Sequence, residues 1–345
     1  MNHSLGNACA PDAAFVICVE PGRLEYKALC LVLTFRAHAG RWKDAPIFAY
    51  SPREGRKVSP WLKEIFAQYQ VTLVEEAINR DYVDYPLANK PLVMRDAERR
   101  LACELVIFLD SDILVWAPPD DLELPPGKNL GMVIDADKSL ASAGPLDELD
   151  GMWRGLYGIA GVRSDHYVQT TLGRDTVRAW WCSGVIATRR SAAAMDEWMA
   201  VFERAMKSDI FVDRASYMRE QMTFSAVATR RIDEVVNLSP RYNYHVQSVD
   251  KYLKVHGMPP DAAVFWHYQC YLDKAFANFK RGLDRIDSAP GRIAFAWKFI
   301  ERLRTGHRRM IGIDESRIAS WRRRLRLGVR LRRLLGRSKD TDRFI

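Results

Sequence analysis

The chain has 345 residues, 48% hydrophobic and 28% charged, with a formal net charge of +9. That length can bury a large core in one domain or two, and no apolar run approaches the roughly 20 residues a membrane span needs. The charge excess is local: residues 316–345 carry eleven Lys/Arg against two Asp, so the other 315 residues sum to zero, which excludes a body-wide nucleic-acid surface. The N-terminal stretch has neither a basic n-region nor a long apolar core, so no signal peptide is expected. The cysteines (Cys9, Cys18, Cys30, Cys103, Cys182, Cys270) are scattered without a C-x-x-C pair. Cys18, Cys103, Cys182 and Cys270 sit in apolar surroundings, which favours reduced core thiols in the cytoplasm over a disulfide framework or a zinc site.

In chain order, residues 14–19 form a buried strand and 24–34 have helical spacing. Residues 45–50 are a second strand, Pro60 opens a helix through Gln68, and Val71–Val74 is a third strand. This alternation predicts a parallel sheet with helices on both faces. Tyr82–Asn89 reads as irregular, followed by a helix from Pro91 to Ala102. Residues 131–135 are a strand, and 136–178, rich in glycine, read as a long functional or mobile loop on the acceptor side, together with residues 242–245. Ser183–Thr188 is a strand; the helix after it carries Met195, Trp198, Met199, Phe202 and Met206 on one face, a core stripe. Residues 218–228 are helical, and 235–238 and 264–267 are late strands.

The chemistry concentrates in ELVIFLDSDILVW, residues 104–116. The run Val106–Leu109 is short, apolar and without alternation, as in a strand buried on both faces. Asp110 and Asp112 end it, and carboxylates at the end of a buried strand are costly without a partner. Alternate residues of an extended segment face the same way, so both can meet one hard cation, Mn²⁺ or Mg²⁺.

With these residues the chain resembles nucleotide-sugar glycosyltransferases of the GT-A fold, closest to family 8, the glycogenin and galactosyltransferase-like branch. The match is carried by LDSDILV, by the small-residue strand CSGVIATRR, by Arg219-Glu220-Gln221 and by Phe265-Trp266-His267-Tyr268, in that order. It spans roughly residues 14–280. It implies an α/β fold with a mostly parallel, Rossmann-like central sheet. Residues 1–285 are expected to form the transferase domain and 286–345 a basic helical extension. It also implies a hexosyltransferase that moves sugar from a nucleoside-diphosphate donor to a glycan or lipid-linked acceptor.

The resemblance assigns the metal to Asp110, Asp112 and His267; from its residue type alone, His245 is a weaker competitor for the third position. It assigns donor contacts to Asn89, Lys90, Asp110, Ser183, Gly184 and Lys274, although the family's pattern around the last lysine is absent here. Gly184 lacks a side chain that would obstruct a sugar, and Lys90 suits diphosphate charge. Glu220 and Gln221 are the expected catalytic pair, with Glu where the family usually has Asp; a carboxylate there is also a possible base. Glu20 and Tyr26 are weaker candidates for facing the nucleotide base. Leu114 stands where haloacid-dehalogenase-type phosphohydrolases, which would use Asp110 as nucleophile, usually carry Thr or Val. A third reading is a non-catalytic adaptor acting through the tail on a membrane or nucleic acid. Residues 317–335 interleave arginines with Ile318, Trp321, Leu325 and Val329, which suits an anionic membrane surface on the inner face. No nucleic-acid partner is expected.

Overall fold

The computed structural model describes residues 12–269 and 271–310. β1 (Ala13–Cys18), α1 (Arg23–His38), β2 (Ile47–Tyr50), α2 (Pro60–Gln68) and β3 (Val71–Val74) follow the expected alternation. α3 (Asn89–Arg100) then leads into β4 (Leu105–Leu109), β5 (Ile113–Val115) and β6 (Leu130–Ile134). Next come α4 (Asp150–Ala160), the hairpin β7 (Tyr167–Gln169) and β8 (Thr176–Arg178), the long β9 (Trp181–Arg189), α5 (Ala194–Met206) and α6 (Arg219–Arg230). The chain continues through β10 (Val235–Asn237), β11 (Tyr244–His245), α7 (Val249–His256), β12 (Phe265–His267), α8 (Asp273–Leu283) and α9 (Ala289–Met310).

Seven strands form the central sheet in the order β10-β6-β9-β4-β1-β2-β3. All neighbours are parallel except β9, which runs antiparallel to both β4 and β6. The sheet is therefore mixed and mostly parallel. Successive residues of the inner strands enter opposite cores. Phe15, Ile17, Ile107 and Leu109 join the core under α1, while Ala14, Val16, Val106 and Phe108 join the one under α3 and α5. Full burial of each such large side chain is worth about 1.5–3 kcal/mol, and burial on both faces explains why these strands lack alternation. The α5 stripe is core as read, with Met195, Trp198, Met199 and Phe202 buried and Met206 partly so. Beyond residue 285, Ala289, Ala296 and Ile300 of α9 are buried in the same core as α1.

Several local expectations are corrected. α3 starts at Asn89, two residues before Pro91; proline is tolerated in a first turn because its missing N–H would have no partner there. The 136–178 segment is not one loop. Its three helical glycines conceal α4, which is driven by Met152, Trp153, Leu156, Tyr157 and Ala160 on one buried face. Cys103 is disulfide-bonded, whereas Cys18, Cys30 and Cys182 are free; apolar surroundings report burial, which a half-cystine satisfies as well as a thiol. No described helix is long and apolar enough to cross a membrane. The basic segment 316–345, with Cys9 and Cys270, lies outside the described residues.

α4 and the β7–β8 hairpin are tied by a buried ion cluster. The Arg178 guanidinium is 1% exposed, meets Asp150 at 2.8 Å and also contacts Asp165. Burial pushes the Asp150 carboxyl up, but Arg178 and Ser142 more than offset it and hold the group below its ordinary value. Arg178→Ala strips a buried carboxylate of its main partner, so urea denaturation at neutral pH should register a loss of about 3–5 kcal/mol. Because the folded Asp150 is the stronger acid, its share of stability is present above the unfolded pKa and disappears as pH falls through the folded value. The difference between wild type and variant should accordingly shrink on acidification below about pH 4.

Candidate active site

The acidic pair lies where the chain leaves the central sheet. β4 ends at Leu109, and after Asp110-Ser111-Asp112 the chain enters a separate three-stranded sheet, β11-β12-β5. β12 runs antiparallel to β5 with His267 opposite Ile113, so its last residue returns beside Asp112. His267 Nε2 lies 3.2 Å from Asp112 Oδ1 and 4.0 Å from Asp110 Oδ2. The three side chains each bring a ligand atom within 4.8 Å of the others.

β9 supplies the opposite wall. Its pairing with β6 shifts register between Met132 and Val133, so Ile186 and Cys182 oppose consecutive residues. The extra residues bow out as a bulge, a device that re-aims a strand near a site. Within it, Gly184 O accepts the Asp110 N–H at 2.8 Å. A Cβ on Gly184 would lie 2.8 Å from His267 Cε1 and 3.2 Å from Asp110 Oδ2. Glycine is there because the aspartate and the imidazole close over it.

Two lysines balance the carboxylates. Lys90, in the first turn of α3, donates to Asp110 Oδ2 at 2.9 Å and to Ser183 Oγ at 3.0 Å, and lies 3.9 Å from Glu220 Oε1. Lys27, in α1, donates to Asp112 Oδ2 at 3.3 Å and to the Gln269 carbonyl at 2.9 Å. Burial pulls Lys90 down, but Asp110 and Glu220 more than reverse this and raise it well above an ordinary lysine. Burial likewise opposes ionisation of Asp112, yet His267, Lys27 and Lys90 together hold it well below the usual carboxylate range. His267 is raised, burial being outweighed by Asp112.

The first turn of α6 brings in Glu220 and Gln221, both buried. Tyr85 donates to Glu220 Oε2 at 2.6 Å, and burial raises the Glu220 carboxyl against the pull of Lys90 and Tyr85. Gln221 uses both ends of its amide, donating to Asp135 Oδ2 at 2.9 Å and accepting from the Ser183 hydroxyl at 3.3 Å. Burial pushes Asp135 up to about 6.

Of the sequence candidates, Lys90, Asp110, Asp112, Ser183, Gly184, Glu220, Gln221 and His267 thus converge. Asn89 sits beside them, but its side chain donates to Glu20 at 3.0 Å and accepts from Asn79 at 2.7 Å. Glu20 is clamped by Arg53. Tyr26 stacks on Trp61 and donates to Asp284 at 2.7 Å. Lys274 is exposed on α8, where it lines a groove against α9 with Trp266 and Phe299. Sequence reading missed Lys27, Tyr85, Asp135 and Asn243. Lys27 alone left a trace: a lysine inside the otherwise apolar helical run of α1.

The acidic triad suits a hard divalent ion. Two carboxylates and one imidazole match Mn²⁺ or Mg²⁺. The His267 Nδ1–H donates to Asn243 Oδ1 at 2.6 Å, which fixes the ring and turns Nε2 toward the aspartates, as outer partners of metal-bound histidines do.

A family model described as the Rhodobacterales glycosyltransferase domain matches residues 15–231. The chain belongs to that family. It is a glycosyltransferase, and neither the phosphohydrolase nor the adaptor reading is carried further. No curated protein sequence matches the chain. Among solved structures, the WbbM bifunctional glycosyltransferase aligns at 15% identity over 77% of this chain and 47% of its own, TM-score 0.46. This chain therefore spans about half the length of that enzyme. Mouse xyloside xylosyltransferase 1 aligns at 9% identity over 76% of this chain and 99% of its own, TM-score 0.43. The galactosyltransferase LgtC, solved with donor and acceptor sugar analogues, aligns at 12% identity over 81% and 99%, TM-score 0.44.

Lys90 neutralises two carboxylates at once, one of them, Glu220, with a side chain only 2% exposed. Lys90→Ala is expected to lower unfolding free energy by about 3–5 kcal/mol, read by urea denaturation at pH 7. The double variant Lys90→Ala/Glu220→Gln should recover part of that loss, because no second buried charge is left behind.

Proposed function

We propose that the protein transfers a hexosyl group from a nucleoside-diphosphate sugar to a glycan or lipid-linked acceptor, through a GT-A, family 8-like donor site that uses Mn²⁺ or Mg²⁺. The observation that carries this reading is the convergence of Asp110, Asp112 and His267 within 4.8 Å, with the imidazole oriented by Asn243. Asp110, Asp112 and His267 would hold the ion. When bound, it supplies positive charge where the leaving diphosphate gains negative charge.

Lys90 and Lys27 then exchange their carboxylate partners for phosphate oxygens. An ammonium already desolvated and held in place stabilises developing charge without reorganising. Ser183 and Gly184 offer a hydroxyl and an open backbone to the sugar. Glu220, held by Tyr85 and Lys90, is better fitted to position Lys90 and Ser183 than to act as a free base. Gln221 positions Ser183 in the same way. Lys274 is left out of the donor set. The proposal extends to a cytoplasmic location with contact to the inner membrane face through residues 316–345.

The decisive assay is release of nucleotide from a panel of UDP-sugars with Mn²⁺. Asp112→Ala is expected to cut kcat/KM by at least about 100-fold, and turnover that survives either this change or EDTA would overturn the metal reading. Asn243→Ala frees the imidazole and should weaken Mn²⁺ binding about 10–100-fold, seen as a rightward shift of the Mn²⁺-dependent rise in melting temperature. For the tail, anionic liposomes should sediment the full chain but not a chain lacking 316–345; equal sedimentation would sink that part.

A further inference from the structure

A second set of ligand-type side chains lies behind the acidic pair. Cys182, His245 and His267 each bring a ligand atom within 4.8 Å of the others. They are 7%, 8% and 4% exposed. The fold builds this cluster from separate elements. β11 runs parallel to β12 with His245 beside His267, and the two rings stand edge to face with centroids 5.5 Å apart. Cys182 comes from the start of the β9 bulge and accepts the Gly184 N–H at 3.4 Å.

His245 is the residue that the donor site leaves unexplained. Its Nε2 is fully buried and has no hydrogen-bond partner among the described residues. An orphaned buried nitrogen is costly, and such a group calls for a reason. One free thiol and two imidazoles are the donor set of a borderline-to-soft divalent ion such as Zn²⁺. The cluster adjoins Asp110 and Asp112 through the shared His267, and the side chains of these two aspartates are 20% and 22% exposed.

We propose that Cys182, His245 and His267 form a thiolate–imidazole site for Zn²⁺-like cations, which shares His267 with the acidic triad and so excludes a hard cation from it. The exclusion rests on the donor-site reading above; the thiolate site itself does not. The His267 ring is committed at both nitrogens, to Asn243 at 2.6 Å and to Asp112 at 3.2 Å. A soft ion can take the ring only by displacing one of them. The thiol gives its proton to solvent as the sulfur–metal bond forms. At equal free concentration Zn²⁺ outcompetes Mn²⁺ for nitrogen and sulfur ligands, so Zn²⁺ bound here disables the site meant for the harder ion.

The test uses the full-length protein with Cd²⁺ as spectroscopic probe in a buffer free of thiols. A sulfur-to-cadmium absorption band should appear and saturate at one equivalent. Cys182→Ser should abolish it, His245→Gln should weaken binding by about tenfold or more, and Asp112→Asn should retain it. In a thermal-shift titration, one equivalent of Zn²⁺ should move the Mn²⁺ midpoint of the wild type upward by about tenfold or more and leave that of Cys182→Ser in place. A full-strength band in Cys182→Ser, or no band in the wild type, overturns the site. A Mn²⁺ midpoint indifferent to Zn²⁺ overturns the exclusion. A wild type that gives the band but no Mn²⁺ response supports the thiolate site and overturns the donor-metal reading instead.

Discussion

The structure depends on how negative charge is balanced at the carboxyl end of β4. Asp110, Asp112 and Glu220 are brought together at the edge of a buried sheet, where an uncompensated carboxylate is costly. The chain answers with Lys90 and Lys27 from the first two turns of α3 and α1, and with the His267 imidazole. Each cation reaches the site from a different element, so correct assembly of the charges requires α1, α3, β4 and β12 to be in place together. The same arrangement is chemically useful, since ammonium groups that already neutralise carboxylates can neutralise phosphates when an ion takes the carboxylates over.

Topology adds a second constraint. In open α/β sheets, ligands gather beyond the carboxyl ends of strands, where neighbouring connections diverge. Here β9 enters antiparallel between β4 and β6 and bulges as it passes the acidic pair. That bulge places Ser183 toward Lys90, Gly184 under His267 and Asp110, and the Cys182 sulfur within 4.8 Å of ring nitrogens of both His245 and His267. Three consecutive residues thus meet three different chemical environments, which a regular strand would not permit.

Much of this was legible in the sequence because its signals were local. The apolar run before Asp110, the small residues of β9, the Glu-Gln pair opening α6 and the Phe-Trp-His strand each carry their own pattern. Tyr85, Asp135 and Asn243 carry none, and Lys27 only the oddity of a lysine in an apolar helical run, since their roles arise from contacts across 135, 86, 24 and 85 residues of chain. Glycines at 151, 155 and 158 concealed α4, whose stripe of Trp153, Leu156 and Tyr157 nevertheless drives it. β11 has two residues, too few for any period to register. The direction of β9 was unreadable for a different reason: a strand buried on both faces has the same composition whether it runs up or down.

The acidic pair and His267 belong to two sheets. Asp110 is anchored to the large one through Gly184, whereas His267 and the start of β5 belong to the small one, held to α1 by the bond from Val115 N–H to Thr34 Oγ1 and by the ring contact of His38 with Trp116. A ligand that bridges aspartate and imidazole therefore rivets the two sheets to one another. The two sheets already share one core, in which Ile113, Val115 and Phe265 pack with Ile107 and Leu109, so such a ligand would add its binding free energy to a seam that packing has closed, and the fold would gain stability as the ligand's concentration rises.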